Sequence, residues 1–161
     1  MNYAFVDHIL ELKEGQRILA VKNITQTEDY LDEYYPRLGN IPGSLIIESM
    51  ASTAALLLFA STHFASFALL VMIEKAVFMH PVYPGDRMLM EVKLLVLHTE
   101  AAQLEAVVRV GTKTAASATL MLGLFEIQRL VDPQMKTLIA SLLERTKNWI
   151  EWALIQPAPG T

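Results

Sequence analysis

The apolar positions of the chain fall into short strand-like runs on either side of one long apolar stretch. Phe5–Leu12 predicts a strand that ends in the turn signal Lys13-Glu-Gly-Gln16. Arg17–Ile24 predicts a second strand, with Ile18, Ala20 and Lys22 on one face. Thr25–Tyr35 is polar and acidic and leads into a loop punctuated by Pro36, Gly39, Pro42 and Gly43. From about Ser44 to Ala60 the residues are apolar almost all round, which predicts a helix buried on every side instead of on one face. Strand-like runs follow at Phe67–Met79, Met88–His98, Ala102–Val110 and Thr114–Ile127, the first two separated by the turn-rich His80-Pro-Val-Tyr-Pro-Gly-Asp-Arg87. A sheet wrapped around one buried helix is the economical α+β architecture for this order.

The tail has a different pattern. Asp132-Pro133 pairs a capping carboxylate with proline at the first helical position. Met135, Leu138, Ile139, Leu142, Leu143, Trp149 and Ile150 then fall near one face, which predicts an amphipathic helix. It packs on the sheet or on a neighbouring subunit, or binds a membrane or partner through Trp149 and Trp152. The expected division is a domain over residues 1–128 and a helical extension over 129–161.

Composition narrows the function classes. At 161 residues the chain supports one domain, and a hydrophobic fraction of 53% exceeds what one small core hides, which suggests burial between subunits. The net charge of −4, without a basic patch, argues against nucleic acid. With no cysteine there is no disulfide, thiolate nucleophile or cysteine-bound zinc, and the start lacks a signal-peptide pattern, so the expected location is cytoplasmic. Ser49–Ile73 carries no charged residue and has the length of a membrane span. Its seven Ser, Thr and His interruptions, and the break at Ser61-Thr-His-Phe-Ala-Ser66, favour a buried helix followed by a buried strand, so membrane association is not expected.

Within the apolar helix stands one carboxylate, Glu48. Burial of a lone carboxylate costs several kcal/mol unless it is paired or protonated, so Glu48 is expected as a buried acid with a raised pKa. Two other roles stay open. It lies four residues after Ser44, one too many for a capping box, and it could pair with Arg37 or Arg87. Gly43 and Ser44 open the helix, where backbone N–H groups can polarise a carbonyl oxygen, although Pro42-Gly43 also serves simply as a turn. His8, His63, His80 and His98 show no metal-ligand spacing, and His80 adjoins a turn that could approach a cleft. No metal or cofactor is expected.

Three collinear segments carry a resemblance. Tyr3–Leu12 with Arg17–Ile24, Ile41-Pro-Gly-Ser-Leu-Ile-Ile-Glu-Ser-Met-Ala51, and Pro81-Val-Tyr-Pro-Gly-Asp86 are similar to the opening hairpin, active-site helix and Arg-Pro-Val-x-Pro-Gly-Asp loop of a known family. The chain resembles the (3R)-hydroxyacyl-acyl-carrier-protein dehydratases of bacterial fatty-acid synthesis, which have the hot-dog fold. The resemblance implies a homodimer or larger assembly whose sites span the subunit interface, and an acyl thioester on acyl carrier protein or coenzyme A as ligand. It places Glu48 on the family's catalytic glutamate and Tyr34, in Glu33-Tyr34-Tyr35-Pro36, on its catalytic histidine. Pro42, Gly43, Ser44, Ser52 (at the helix glutamine) and Tyr83 become the expected substrate contacts.

Tyrosine at the histidine position changes the chemistry. A phenol with a pKa near 10 donates a hydrogen bond at neutral pH but is a poor base, whereas imidazole titrates near 6.5. The expectation is a dehydratase-like acyl-thioester-binding protein, weak or inactive alone and a partner to an active paralogue. One alternative is a hydratase, isomerase or thioesterase using Glu48 as base. Another is a structural subunit of a hetero-oligomeric dehydratase.

Overall fold

In the computed structural model, which describes residues 5–26, 39–126 and 132–155, the chain opens with a hairpin. Strands β1 (His8–Lys13) and β2 (Arg17–Asn23) turn at Gly15, whose φ of 67° suits glycine. Helix α1 (Gly43–Ser61) follows, then β3 (Ser66–Phe78), β4 (Arg87–Leu97), β5 (Ala101–Val110), β6 (Lys113–Glu126) and helix α2 (Pro133–Ile155). The strands form one antiparallel sheet in the order β1-β2-β4-β5-β6-β3, so β1 and β3 are its two edges. This is the expected hot-dog arrangement, with strand and central-helix ends within about one residue of the pattern-based ones except that β1 begins at His8 instead of Phe5.

Period-two alternation builds the core. Met88, Met90 and Val92 of β4, Leu104, Ala106 and Val108 of β5, and Leu120 and Leu122 of β6 are fully buried. They meet Met50, Ala54, Leu57 and Leu58 of α1, spaced three and four apart on one face of the helix. The buried hydroxyls of Ser49 and Thr53 donate to the carbonyls of Leu45 (2.9 Å) and Ser49 (2.8 Å), so no polar group is left unsatisfied on this face.

Two expectations from the pattern change. Helix α1 is not buried on all sides: Ser44 and Glu48 are exposed, and Leu45, Ser52, Ala55 and Phe59 are half-buried. A sheet covers only one side of a helix, and these residues form the other. The long uncharged run is divided between α1 and β3, as expected, but β3 is not the buried strand expected: beyond Ala68 its residues are half-buried or exposed, because only one of its edges is paired.

The chain reverses after α1 through His63 (φ 51°) and Phe64 (φ 59°), both left-handed. It then enters β3, which pairs with β6 on one side only. From Val71 to Phe78 every residue of β3 is exposed, including Val71, Met72, Ile73, Val77 and Phe78. At the opposite edge, α2 lies against β1 and α1. Asp132 caps it, its Oδ1 accepting the Gln134 N–H at 2.9 Å. Among the described residues of the helix only Leu143 and Ile150 are buried, while Met135, Leu138 and Leu142 are exposed, so the apolar face is wider than the contact it makes.

Candidate active site

The site grows from the way three segments are tied together. In the turn after β3, Asp86 Oδ2 accepts the Tyr83 N–H (2.8 Å), and Gly85 takes a φ of 98°. The same turn exchanges backbone bonds with the end of β2: Gly85 N–H to Ile24 O (2.8 Å) and Ile24 N–H to Asp86 O (2.9 Å). The carbonyl of buried Val82 accepts the Ile41 N–H at 2.8 Å, which fixes the segment entering α1. Met79 and His80 both donate their N–H to the Ala115 carbonyl, at 2.8 and 3.1 Å. These bonds hold the exit of β3 beside the N-terminus of α1.

The approach is close. A Cβ on Gly43 would lie 2.8 Å from Cζ of the Phe78 ring, so glycine is what lets the ring sit on the helix terminus. Pro42 occupies the N-cap position and no side chain caps the helix. Its leading amides therefore keep the partial positive charge of an uncapped terminus. Beside them lies a cavity of about 470 Å³, walled by Asn40, Ile41, Gly43 and Ile46 on one side and Phe78, Met79, His80 and Pro81 on the other. Apart from Asn40 and His80 these side chains are apolar, which suits an acyl chain near a carbonyl held by backbone amides.

Glu48 requires a correction. It is exposed, not buried, and none of the salt bridges among the described residues involves it. At about 100° per residue, Glu48 lies about 140° around the helix from Gly43 and about 160° from Ile46. The carboxylate thus faces away from the cavity of its own chain. The buried-acid reading failed because it assumed an all-round apolar helix, and Ser44, Glu48 and Ser52 in fact mark the uncovered stripe.

The other expected residues separate. Gly43 lines the cavity, and buried Pro42 adjoins it as the helix cap. Exposed Ser44 and half-buried Ser52 share the Glu48 stripe. Tyr83 is half-exposed, holding the turn through its backbone, and does not line the cavity. Tyr34 lies outside the described residues, as do Arg37 and Leu38. His80, met in the sequence only as a neighbour of a turn, is in the cavity wall. Ile46 and Phe78 were not foreseen as part of the site.

The perturbed carboxylates lie away from the cavity. Hydrogen bonds from Lys13 and then Arg17 hold the Glu11 carboxyl below its ordinary value of 4.5. For Glu91 burial pushes upward, but the Arg109 hydrogen bond and the Lys93 charge outweigh it and the net direction is down.

A FabA-like domain model matches residues 1–119. A 3-hydroxyacyl-[acyl-carrier-protein] dehydratase FabZ of Desulforamulus reducens is 36% identical over 123 residues, covering 76% of this chain and 87% of the relative. A protein of the same description from Koribacter versatilis is 38% identical over 117 residues, covering 71% and 75%. Among solved structures, a Streptococcus mutans protein bound to acetyl CoA superposes with a TM-score of 0.61 at 14% identity, covering 78% of this chain and 94% of that one.

Proposed function

The chain belongs to the FabA-like family, and from that premise we propose that it binds acyl thioesters on acyl carrier protein or coenzyme A, in the cytoplasm, as a dehydratase-type protein of fatty-acid or polyketide metabolism. The observation that carries this reading is the apolar cavity opening beside the uncapped N-terminus of α1, with Gly43 at its wall. A thioester carbonyl seated there meets backbone N–H groups, and the acyl chain meets Ile41, Ile46, Phe78 and Met79. Pro42 and Ser44 flank the same helix terminus, and Ser52 and Tyr83 are assigned to substrate contacts outside the cavity wall.

The assembly we propose is a homodimer through β3. Its free edge is apolar, and its centre carries Glu74 next to Lys75. Adjacent opposite charges at the middle of an edge strand are self-complementary when two copies pair antiparallel about a twofold axis. This pairing also gives Glu48 a role. The carboxylate points away from its own cavity, so it acts on the cavity of a second copy. Glu48 is then the acid–base group, with Tyr34 as a hydrogen-bond donor and turnover well below that of an imidazole-based site. A hetero-oligomer with an active paralogue would use the same edge.

The test is hydration of a short trans-2-enoyl thioester by the pure protein, beside Glu48→Ala and Tyr34→His. The expected result is slow turnover that Glu48→Ala removes and Tyr34→His raises, by up to the roughly 10²- to 10⁴-fold of a general acid–base residue. Failure to bind or turn over any acyl thioester overturns the reading.

A further inference from the structure

We propose that α2 is a self-association surface, whose outward row of side chains pairs antiparallel with the same row of a second copy; the proposal is independent of the thioester reading above. The helix lies beyond residues 1–119, the part that the family model matches. Two rows of residues at heptad spacing run along it. Ile139, Leu143, Thr146 and Ile150 form the inner row, buried or half-buried where the helix lies on β1 and α1. Met135, Leu138, Leu142, Arg145, Trp149 and Trp152 form the outer row. Trp149 is half-buried against the core, whereas Met135, Leu138, Leu142 and Trp152 are 45 to 57% exposed.

The outer row is self-complementary. Its steps are three, four, three, four and three residues, the same read from either end. A second helix turned end for end about a twofold axis therefore meets it layer by layer. Met135 stands opposite Trp152 of the second copy, Leu138 opposite its Trp149, and Leu142 opposite its Arg145. Each layer sets a broad side chain against a slimmer one, which fills the space between the helices. The parallel arrangement is poorer, because it sets Trp149 against Trp149, Trp152 against Trp152, and the like charges of two Arg145 in one layer. In the antiparallel pair the Arg145 stem lies along Leu142 and its guanidinium reaches water. A left-handed crossing of about 20° keeps a row of this period in contact along the helix.

The flanks favour a second copy over a lipid surface. Gln134, Ser141 and Asn148, beside the outer row, are exposed and uncharged. Lys136, Glu144, Lys147 and Glu151 lie around the far side, two of each sign. A helix that binds anionic lipid carries cations beside its apolar stripe. Uncharged flanks instead let two copies approach without repulsion. Pairing the two rows takes roughly 1,000 Å² from water, at the lower limit of a specific interface. A contact of this size is weak, so dilute protein stands as the β3 pair proposed above. Because α2 and β3 lie at opposite edges of the sheet, both contacts fit on one chain, and pairs join through α2 as the concentration rises.

The chain has no cysteine, so single cysteines report the contact in the whole protein. In the antiparallel pair, residue 135 of one copy stands beside residue 152 of the other. The two residues 135 lie about 25 Å apart along the helices, beyond the roughly 7 Å that a disulfide spans. Mild oxidation of Met135→Cys mixed with Trp152→Cys, at about 100 µM, should link the two variants at least about tenfold more than it links either alone. Over the same range the wild-type mass should rise past two chains in sedimentation. Leu142→Arg, which sets arginine against Arg145 of the second copy, should abolish the rise. Leu142→Glu, which sets an acid against it, should keep the rise. Position 142 is exposed, so circular dichroism should show both variants folded. A mixture that links no better than either variant alone overturns the proposal, as does a Leu142→Glu protein as defective as Leu142→Arg. A wild type that stays at two chains overturns it too, and its flotation with phosphatidylcholine vesicles would assign α2 to a lipid surface instead.

Discussion

At one edge of the sheet β1 is covered by α2, with Leu143 and Ile150 buried in the contact, and Glu11 is bridged by Lys13 and Arg17. At the other edge β3 presents Val71, Met72, Ile73, Val77 and Phe78 to solvent and bonds to β6 alone. The chain closes its first edge by itself and leaves the second open, the edge through which we propose that two copies pair. The cavity lies at the end of the open strand, so the part of the molecule that is unfinished in one chain is also the part that holds the chemistry. A buried core sets the frame, and in the proposed dimer the exposed edge sets where a second copy contributes.

Substitutions on the two sides should separate folding from assembly. The largest effect is expected on the closed side: Leu57→Ala deletes a fully buried side chain between α1 and the sheet, and a denaturant titration should show a loss of about 2–5 kcal/mol. On the open side, Ile73→Lys should leave the fold intact but raise the dimer dissociation constant at least about 100-fold, near 2.7 kcal/mol, because it puts a charge into the apolar contact between the two edges. Sedimentation equilibrium reads this directly. Where the two sides meet, Gly43→Ala places a methyl carbon 2.8 Å from the Phe78 ring. The ring must move, at a cost of about 1–3 kcal/mol, and thioester affinity should fall as the cavity narrows.

The smallest effect concerns the outer face of the sheet. Glu11 and Glu91 have pKa values lowered by their cationic partners in the folded state, so their stabilisation is complete above the ordinary value of 4.5 and is lost as pH falls through the lower folded values. Thermal melts below pH 4.5 should show this decline, and Glu91→Gln should reduce its slope without touching the cavity.

Much of the frame was legible because it depends on local chemistry. Alternation placed β4, β5 and β6, and Asp132-Pro133 marked the start of α2. Glu48 was singled out from its apolar neighbours, but its exposure was not readable. Composition along one helix does not say which side a sheet will cover, and that depends on strands β2 to β6, which lie tens of positions away. The same limit hid the place of Phe78 and His80 in the cavity wall. Their approach to Gly43 depends on the Val82–Ile41 and Ala115–His80 backbone bonds, which no sequence window contains. Tyr34, assigned from the family resemblance, lies outside the described residues, so its place in the site is a proposal from sequence.

The most direct test of the composite site is to measure binding of an unreactive acyl-pantetheine amide to the wild type and to Ile73→Lys while following their sedimentation. The wild type should sediment as two chains of 18.0 kDa and bind, whereas Ile73→Lys should sediment as one chain and bind at least about tenfold more weakly, or 1.4 kcal/mol. A single chain of either protein that binds as tightly as the pair would contradict a site completed by a second copy.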